Sequence, residues 1–361
     1  MLERFSVPAE DQVLVDHEAL RRTIADLFVA CGVSKDEADA GAEVLVTADL
    51  RGVETHGCSN MLRQYIGWFR TGVHNPQPSW AIVHDTRGTA TIDGDRGLGI
   101  LQGGPAMQLA IDKAHDVGVG TVTMRNSGHL GPIGQFAYQA AEQGMIGMCM
   151  TASSLLIVPT FGALPRYGTN PIAFAAPARS HPFMLFDAAM SSVASNKIGL
   201  ARRVGADMEP GWIAEPDGTP IMDERPAPTS SFNLLPLGGT REQGSHKGYG
   251  LGLFVEVMTT LLAGDIPRMI ERDTKPRHSF IAYNIEAFTD LDAFKDTMDR
   301  MLQTLMDTPP APGHDRVLYP GLPEHETEQR RRASGIPLHR EVIDWFTTIT
   351  DELAVAPLET L

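Results

Sequence analysis

Cysteine is scarce. Only Cys31, Cys58 and Cys149 occur in 361 residues, widely spaced and with no CxxC pair. Such a set excludes a disulfide framework and a thiolate zinc site, and it suits a reducing compartment. Positive charge is also short, with 30 Lys and Arg against 45 Asp and Glu and a formal net charge of −15. That balance argues against a nucleic-acid partner, whose phosphates demand cations, and against anionic membrane surfaces. A small anionic substrate stays admissible, because a few local cations rule inside a cleft. Long apolar runs are missing as well. The best, Leu251–Ala263, carries Glu256 and falls far short of a membrane span. The opening MLERFSVPAEDQ has no basic-then-apolar leader pattern, so the expected location is the cytoplasm. HExxH, GxSxG and GxxxxGK[ST] are absent, and no histidine pair at helical ligand spacing comes with a carboxylate. No metal site is expected, and hydrolase or phosphotransferase chemistry has no foothold.

The chain does have enough apolar residues, 42%, to bury a core across two or three subdomains. Asp16 reads as the N-cap of a first helix that Gly32 stops, and Ser34 with Glu37 reads as a capping box for a second. A third helix spans Met61–Phe69, and a hairpin turns at Asp85–Gly88. From about Pro105 onward helices alternate with strands, which indicates an α/β domain. Residues 202–244 are rich in Pro, Gly and acids and read as loops. A helix after GSHKGYG has Leu251, Val255, Met258 and Leu262 as its core stripe. The last helix carries Val342, Trp345 and Ile349 on one face. DGDRGLGILQGG (93–104) nearly forms a dinucleotide fingerprint, but Gln102 stands where the third glycine belongs.

Four segments set reactive side chains among glycines, where a ligand can approach closely. RGVETHGCSN offers Thr55 and His56, either an acid/base pair or a loop histidine bonded to backbone. RNSGHLGPIG puts His129 at a strand-to-helix junction, either a position that ligands favour or a turn where Asn126 and Ser127 merely cap the helix. YGTNP and FDAAMSS supply Thr169, Asn170 and Asp187. Asp187 either orients an imidazole or forms a turn. GSHKGYG sets Lys247 at a helix start, an anion clamp or a solvated lysine.

Six segments in order, LRGVETHG, NSGHLGPIG, GMIGMCMTAS, FGALPRYGTNPIAFAAP, FDAAMSSVASNK and GSHKGYGLGLFVEV, carry a resemblance. From about residue 12 to 355 the chain resembles the type-2 malate/L-lactate dehydrogenase family. That family also holds ureidoglycolate, L-sulfolactate and diketogulonate dehydrogenases, and cyclic imine reductases. The resemblance implies an α/β (α+β) fold with a non-Rossmann NAD(P)-binding domain and a helical N- plus C-terminal domain. The expected division is 1–75, 76–265 and 266–361. GLGILQGG then becomes a glycine-rich lead into the helix at Pro105.

The resemblance also implies site roles. His56 and His129 fall on the proposed acid/base residues, with Thr55 and Asp187 as their partners. His129, Leu130, Gly131, Pro132, Ser153, Asp187, Ala188, Ala189, Lys247, Pro320, Gly321 and Leu322 fall on cofactor-contacting positions for NAD or NADP. Asn60 stands where many members carry a carboxylate-binding arginine, which leaves Arg63, Arg51 or Lys247 for that task beside Thr169 and Asn170. Met190 replaces a usual hydroxyl. The implied reaction is hydride transfer between nicotinamide and a small L-2-hydroxy acid, in a homodimer. A cyclic imine acid reductase and a non-catalytic nucleotide-binding protein are the alternatives.

Overall fold

The structure, a computed structural model, describes residues 3–273 and 275–361. Strand β1 (Gln12–Val15) leads into helices α1 (His17–Ala30), α2 (Lys35–Leu50) and α3 (Cys58–Arg70). The Asp16 carboxylate accepts the Ala19 N–H at 2.9 Å, and Gly32 leaves α1 at φ +94°. At α2 the Ser34 hydroxyl donates to the Glu37 carboxylate (2.7 Å) and caps no backbone group. The capping box expected there is therefore a side-chain pair. Leu20, Ile24, Phe28, Leu45, Leu62 and Tyr65 bury together on the facing sides of these helices. Each apolar side chain so buried contributes about 1.5–3 kcal/mol.

Next come β2 (Ala81–Asp85), β3 (Thr89–Asp93), α4 (Gly99–Val117), β4 (Val119–Arg125), α5 (Gly134–Glu142), β5 (Met145–Ala152), β6 (Ile172–Ala176) and β7 (Met184–Ala188). Helix α4 starts well before Pro105, a correction to the expected boundary. Its first turns are built from the glycine-rich stretch, although glycine disfavours helix. Packing overrides that preference. A Cβ on Gly99 would lie 2.5 Å from the Gly128 carbonyl oxygen, and one on Gly103 would lie 2.5 Å from the Phe136 ring.

A lobe follows, with α6 (Ser195–Val204), which sequence patterning did not anticipate, and four two-residue strands: β8 (Asp207–Met208), β9 (Ile213–Ala214), β10 (Arg225–Pro226) and β11 (Asn233–Leu234). The chain ends with α7 (Ser245–Glu256), a π-helical stretch (Val257–Leu261), β12 (Arg277–Asn284), α8 (Leu291–Met306), α9 (Leu322–Ser334), β13 (Ile336–His339) and α10 (Arg340–Glu352). Among the described residues, no helix is long and apolar enough to cross a membrane.

The main sheet runs β2-β3-β4-β12-β5-β6-β7. Only β3 and β4 pair in parallel among these strands, so this is not a doubly wound dinucleotide fold. Helices α4 and α5 cover one face over Cys149, Ala173 and Phe280. On the other, Val255 and Met258 pack on Met150 and Ile281, while α8 packs on Ile146 and Phe174. β1 pairs with β13, and α10 adds Val342, Phe346 and Ile349 to the cluster built by α1–α3. The N- and C-terminal helices thus form one body. Strand β12, which follows the expected break at 265/266, lies mid-sheet. The stripe read on α7 is also split: Val255 is buried, but Leu251 is 42% and Leu262 is 54% exposed.

Candidate active site

The site grows from the loop between β4 and α5. Asn126 enters it at φ +53°. Ser127 donates to Gln102 Oε1 (3.0 Å), and Gln102 Nε2 donates to the Gly94 carbonyl (2.8 Å). His278 on β12 donates through Nε2 to the Gly128 carbonyl (3.0 Å), and its Nδ1 meets Thr151 Oγ1 (2.8 Å). The carbonyl can only accept, so that contact sets the His278 tautomer. The Ile100 N–H holds the His129 carbonyl at 3.1 Å. The peptide groups on either side of His129 are therefore held by α4 and the sheet.

The ring itself bonds through Nδ1 to Tyr65 Oη (2.7 Å), with the Gly131 N–H at 3.3 Å. His56 stacks on it, centroids 5.7 Å apart and planes within 8°. His56 Nδ1 contacts Thr55 Oγ1 at 3.0 Å. The loop bearing His56 is tied down by Asp49, whose carboxylate accepts the Cys58 N–H at 2.7 Å. Burial lifts the Asp49 pKa to about 7. A Cβ on Gly57 would sit 1.9 Å from Asp49 Oδ1, so glycine is required in that approach.

Burial lowers the His56 pKa to about 4. Burial, then the neighbouring His56, lowers that of His129 to about 3. Both imidazoles are neutral at neutral pH, and two stacked rings resist carrying a proton each. Burial raises the Tyr65 phenol well above its ordinary range, so it stays protonated.

A cleft of about 620 Å³ opens beside this pair, with His129, Trp68, Ser153, Ser154, Arg268 and Arg272 in its wall. His56 does not line it and lies behind His129. Ser153 is set by two expected site residues: Asn170 Oδ1 accepts its N–H (3.0 Å), and Thr169 Oγ1 meets its hydroxyl (3.2 Å). Asn170 is fully buried and spends its Nδ2 on Gly252 and Glu256. It is a support for Ser153 and has no free edge for substrate.

Other expected residues lie elsewhere. Asp187 accepts the Gly134 N–H at 2.7 Å and caps α5. It orients neither imidazole; Tyr65 does that for His129. Arg63 is 55% exposed, pairs with Glu341 and lies over Trp345. Arg51 pairs with Glu328 (3.1 Å) beside Tyr138. Asn60 is held by the Glu54 carbonyl and Arg203. None of these three lines the cleft. Lys247 is exposed on the first turn of α7 and also lies off the cleft wall.

Of the remaining expected cofactor residues, Asp187–Ala189 and Pro320–Leu322 meet at the edge strand β7, while Leu130–Pro132 lie in the loop before α5. Leu130 is buried, and Gly131 takes φ +71° ahead of Pro132. The Pro320 carbonyl accepts the Leu185 N–H (3.0 Å). Gly321, at φ +97°, opens α9 at Leu322, and a Cβ there would lie 2.9 Å from Leu185 N. Strand β7 runs on through Asp187 and Ala188 to Ala189. Bare backbone, small side chains and the start of α9 suit an extended phosphate-bearing cofactor, while the start of α5 is already taken by the Asp187 carboxylate.

Sequence reasoning missed Tyr65, Trp68, Ser154, Arg268, Arg272 and His278. One signal was present: Arg268, Arg272, Lys275 and Arg277 cluster within an otherwise acidic chain.

Residues 15–347 match the family model described as malate/L-lactate dehydrogenase. The chain belongs to the malate/L-lactate dehydrogenase family. It is a dehydrogenase of 2-hydroxy acids. Malate dehydrogenase of Pyrococcus abyssi is 36% identical over 97% of this chain and 98% of its own. The solved malate dehydrogenase of Pyrococcus horikoshii superposes with a TM-score of 0.89 at 33% identity, covering 98% and 99% of the two chains. The Δ1-piperideine-2-carboxylate reductase structure from Pseudomonas syringae pv. tomato superposes with a TM-score of 0.80 at 25% identity, covering 93% and 99%.

Proposed function

We propose that this dehydrogenase moves a hydride between NAD or NADP and C2 of a small L-2-hydroxy acid, with His129 as the proton carrier. One observation carries the assignment. Of the two stacked imidazoles, only His129 forms cleft wall, and its Nδ1 is already engaged by Tyr65. When bound, the nicotinamide supplies the hydride acceptor or donor. Leu130–Pro132, Ser153, Asp187–Ala189 and Pro320–Leu322 would hold the dinucleotide.

His129 Nε2 takes the hydroxyl proton as the alcohol is oxidised and returns it to a 2-oxo acid in reverse. With Nε2 as the acid–base atom, Nδ1 keeps its hydrogen in both states of the ring and donates it to Tyr65 Oη throughout. The carboxylate of the substrate favours the imidazolium and offsets the depression that burial imposes. Acid–base help of this kind is typically worth ~10²–10⁴ in rate.

The Pseudomonas likeness supports a second reading, reduction of a cyclic imine acid by the same proton carrier. Absorbance at 340 nm, with NADH and NADPH against 2-oxo acids and cyclic imine acids, separates the two. Turnover with a 2-oxo acid is expected. Turnover with imines alone replaces the first reading by the second, and cofactor binding without any turnover rejects both. We also propose that the enzyme works in the cytoplasm as a homodimer.

A further inference from the structure

Arg268 is 5% exposed, yet it forms part of the cleft wall. Its Nε pairs with Asp273 (3.1 Å), and Nη1 donates to Ser154 Oγ (3.1 Å). Its Nη2 is enclosed with no hydrogen-bond partner among the described residues. Asp273 cannot neutralise it fully, because the same carboxylate accepts two bonds from Arg277 (2.8 and 2.6 Å). Arg272 lies in the same lining, and Asp273 is its only acid among the described residues. The lining carries two cations against one shared anion, in a chain whose bulk charge is strongly negative. Arg51 and Arg63, by contrast, are each matched to a glutamate away from the cleft.

Resting on the 2-hydroxy acid reading above, we infer that Arg268, with Ser154, anchors a substrate carboxylate opposite His129, and that Arg272 receives a second acidic group. The preferred substrate is then dianionic, a dicarboxylic or sulfonated 2-hydroxy acid. A guanidinium short of one partner in a cleft wall is a receptor for a carboxylate, and its fork favours a paired geometry that lysine does not reproduce. A second cation rewards a second anion and gives a monoanion nothing further to bind.

Arg268→Gln, Arg268→Lys and Arg272→Gln should be compared with the unaltered enzyme on oxaloacetate, sulfopyruvate and pyruvate. Calorimetry with tartronate and glycolate gives a readout free of turnover, and NADH fluorescence checks that each variant still binds cofactor. Arg268→Gln is expected to raise KM at least 30-fold for every acid, with Arg268→Lys recovering only part of the loss. Arg272→Gln should cut the preference for oxaloacetate over pyruvate at least tenfold. Tartronate should bind the unaltered enzyme at least tenfold tighter than glycolate.

A KM within twofold in Arg268→Gln overturns the anchor. An unchanged oxaloacetate/pyruvate ratio in Arg272→Gln, or equal binding of tartronate and glycolate, overturns the dianion assignment. If the unaltered enzyme turns over only imine acids, the 2-hydroxy acid reading fails by itself. The Arg268 effect on KM for the imine carboxylate then decides the anchor separately.

Discussion

At the residue scale the chemistry turns on which of two touching imidazoles handles the proton. His129 meets the cleft, and His56 supports it from behind with its own Nδ1 against Thr55. His129→Asn is expected to lower kcat by about 10²–10⁴-fold, the usual worth of general acid–base help. His56→Asn should cost at least tenfold less. Equal losses would mean that the pair acts as a unit and that His129 is not the sole carrier. The pH profile gives an independent check. A general base works above its pKa, so lowering that pKa moves the acid limb downward. His129 is pushed to about 3 and His56 to about 4, so kcat/KM for alcohol oxidation should hold level down to about pH 5. A limb at the ordinary histidine value, ~6.5, would contradict the buried neutral pair.

At the scale of elements, the glycine-rich start of α4 and the loop bearing His129 are one device. Gly99 packs so closely that a Cβ would lie 2.5 Å from the Gly128 oxygen and 2.8 Å from the His129 oxygen. Both are backbone atoms, so the loop must move. Gly99→Ala is expected to preserve the circular dichroism spectrum yet lower kcat by about 10²-fold, the scale of a ~1 Å misplacement. Activity within threefold would show that the loop is not so coupled. This device explains what the sequence did and did not disclose. Periodicity and caps located α1, β2, β3 and α8, because those signals are local. The glycines pointed to a close approach but not to its partner, since Gly128 is brought there by tertiary packing. His56 and His129 were legible among glycines. Arg268 was not, because Ser154, which it meets in the cleft wall, lies 114 residues away in sequence, and that distance hides the wall.

At the scale of the whole molecule, an apolar surface along α7 stands without cover among the described residues. Along α7 and the π-helical stretch, Leu251, Phe254, Val257, Leu261 and Leu262 are each 42–54% exposed. The opposite side of the same segment, with Val255 and Met258, packs on the sheet. A helix apolar all round belongs in an interior, and contiguous exposed apolar residues on this scale mark an interface. The face repeats along one helix, so a two-fold partner can present the same residues in return, as an isologous dimer requires. The homodimer proposed above is thus assigned to α7 and its π-helical continuation. The C-terminal helix α10 spends Val342, Phe346 and Ile349 on the protomer's own core and is left out. Phe254→Glu with Leu261→Glu should convert a dimer to monomer by light scattering. Both positions point away from the sheet, so each protomer should keep its fold. Lys247 stands on the first turn of this same helix, exposed and away from its own cleft. Loss of the dimer should therefore weaken cofactor binding as well if the partner's copy of α7 carries Lys247 towards the dinucleotide. A dimer that survives both charges would move the interface elsewhere. A monomer with unchanged cofactor affinity would keep the interface and remove Lys247 from the site.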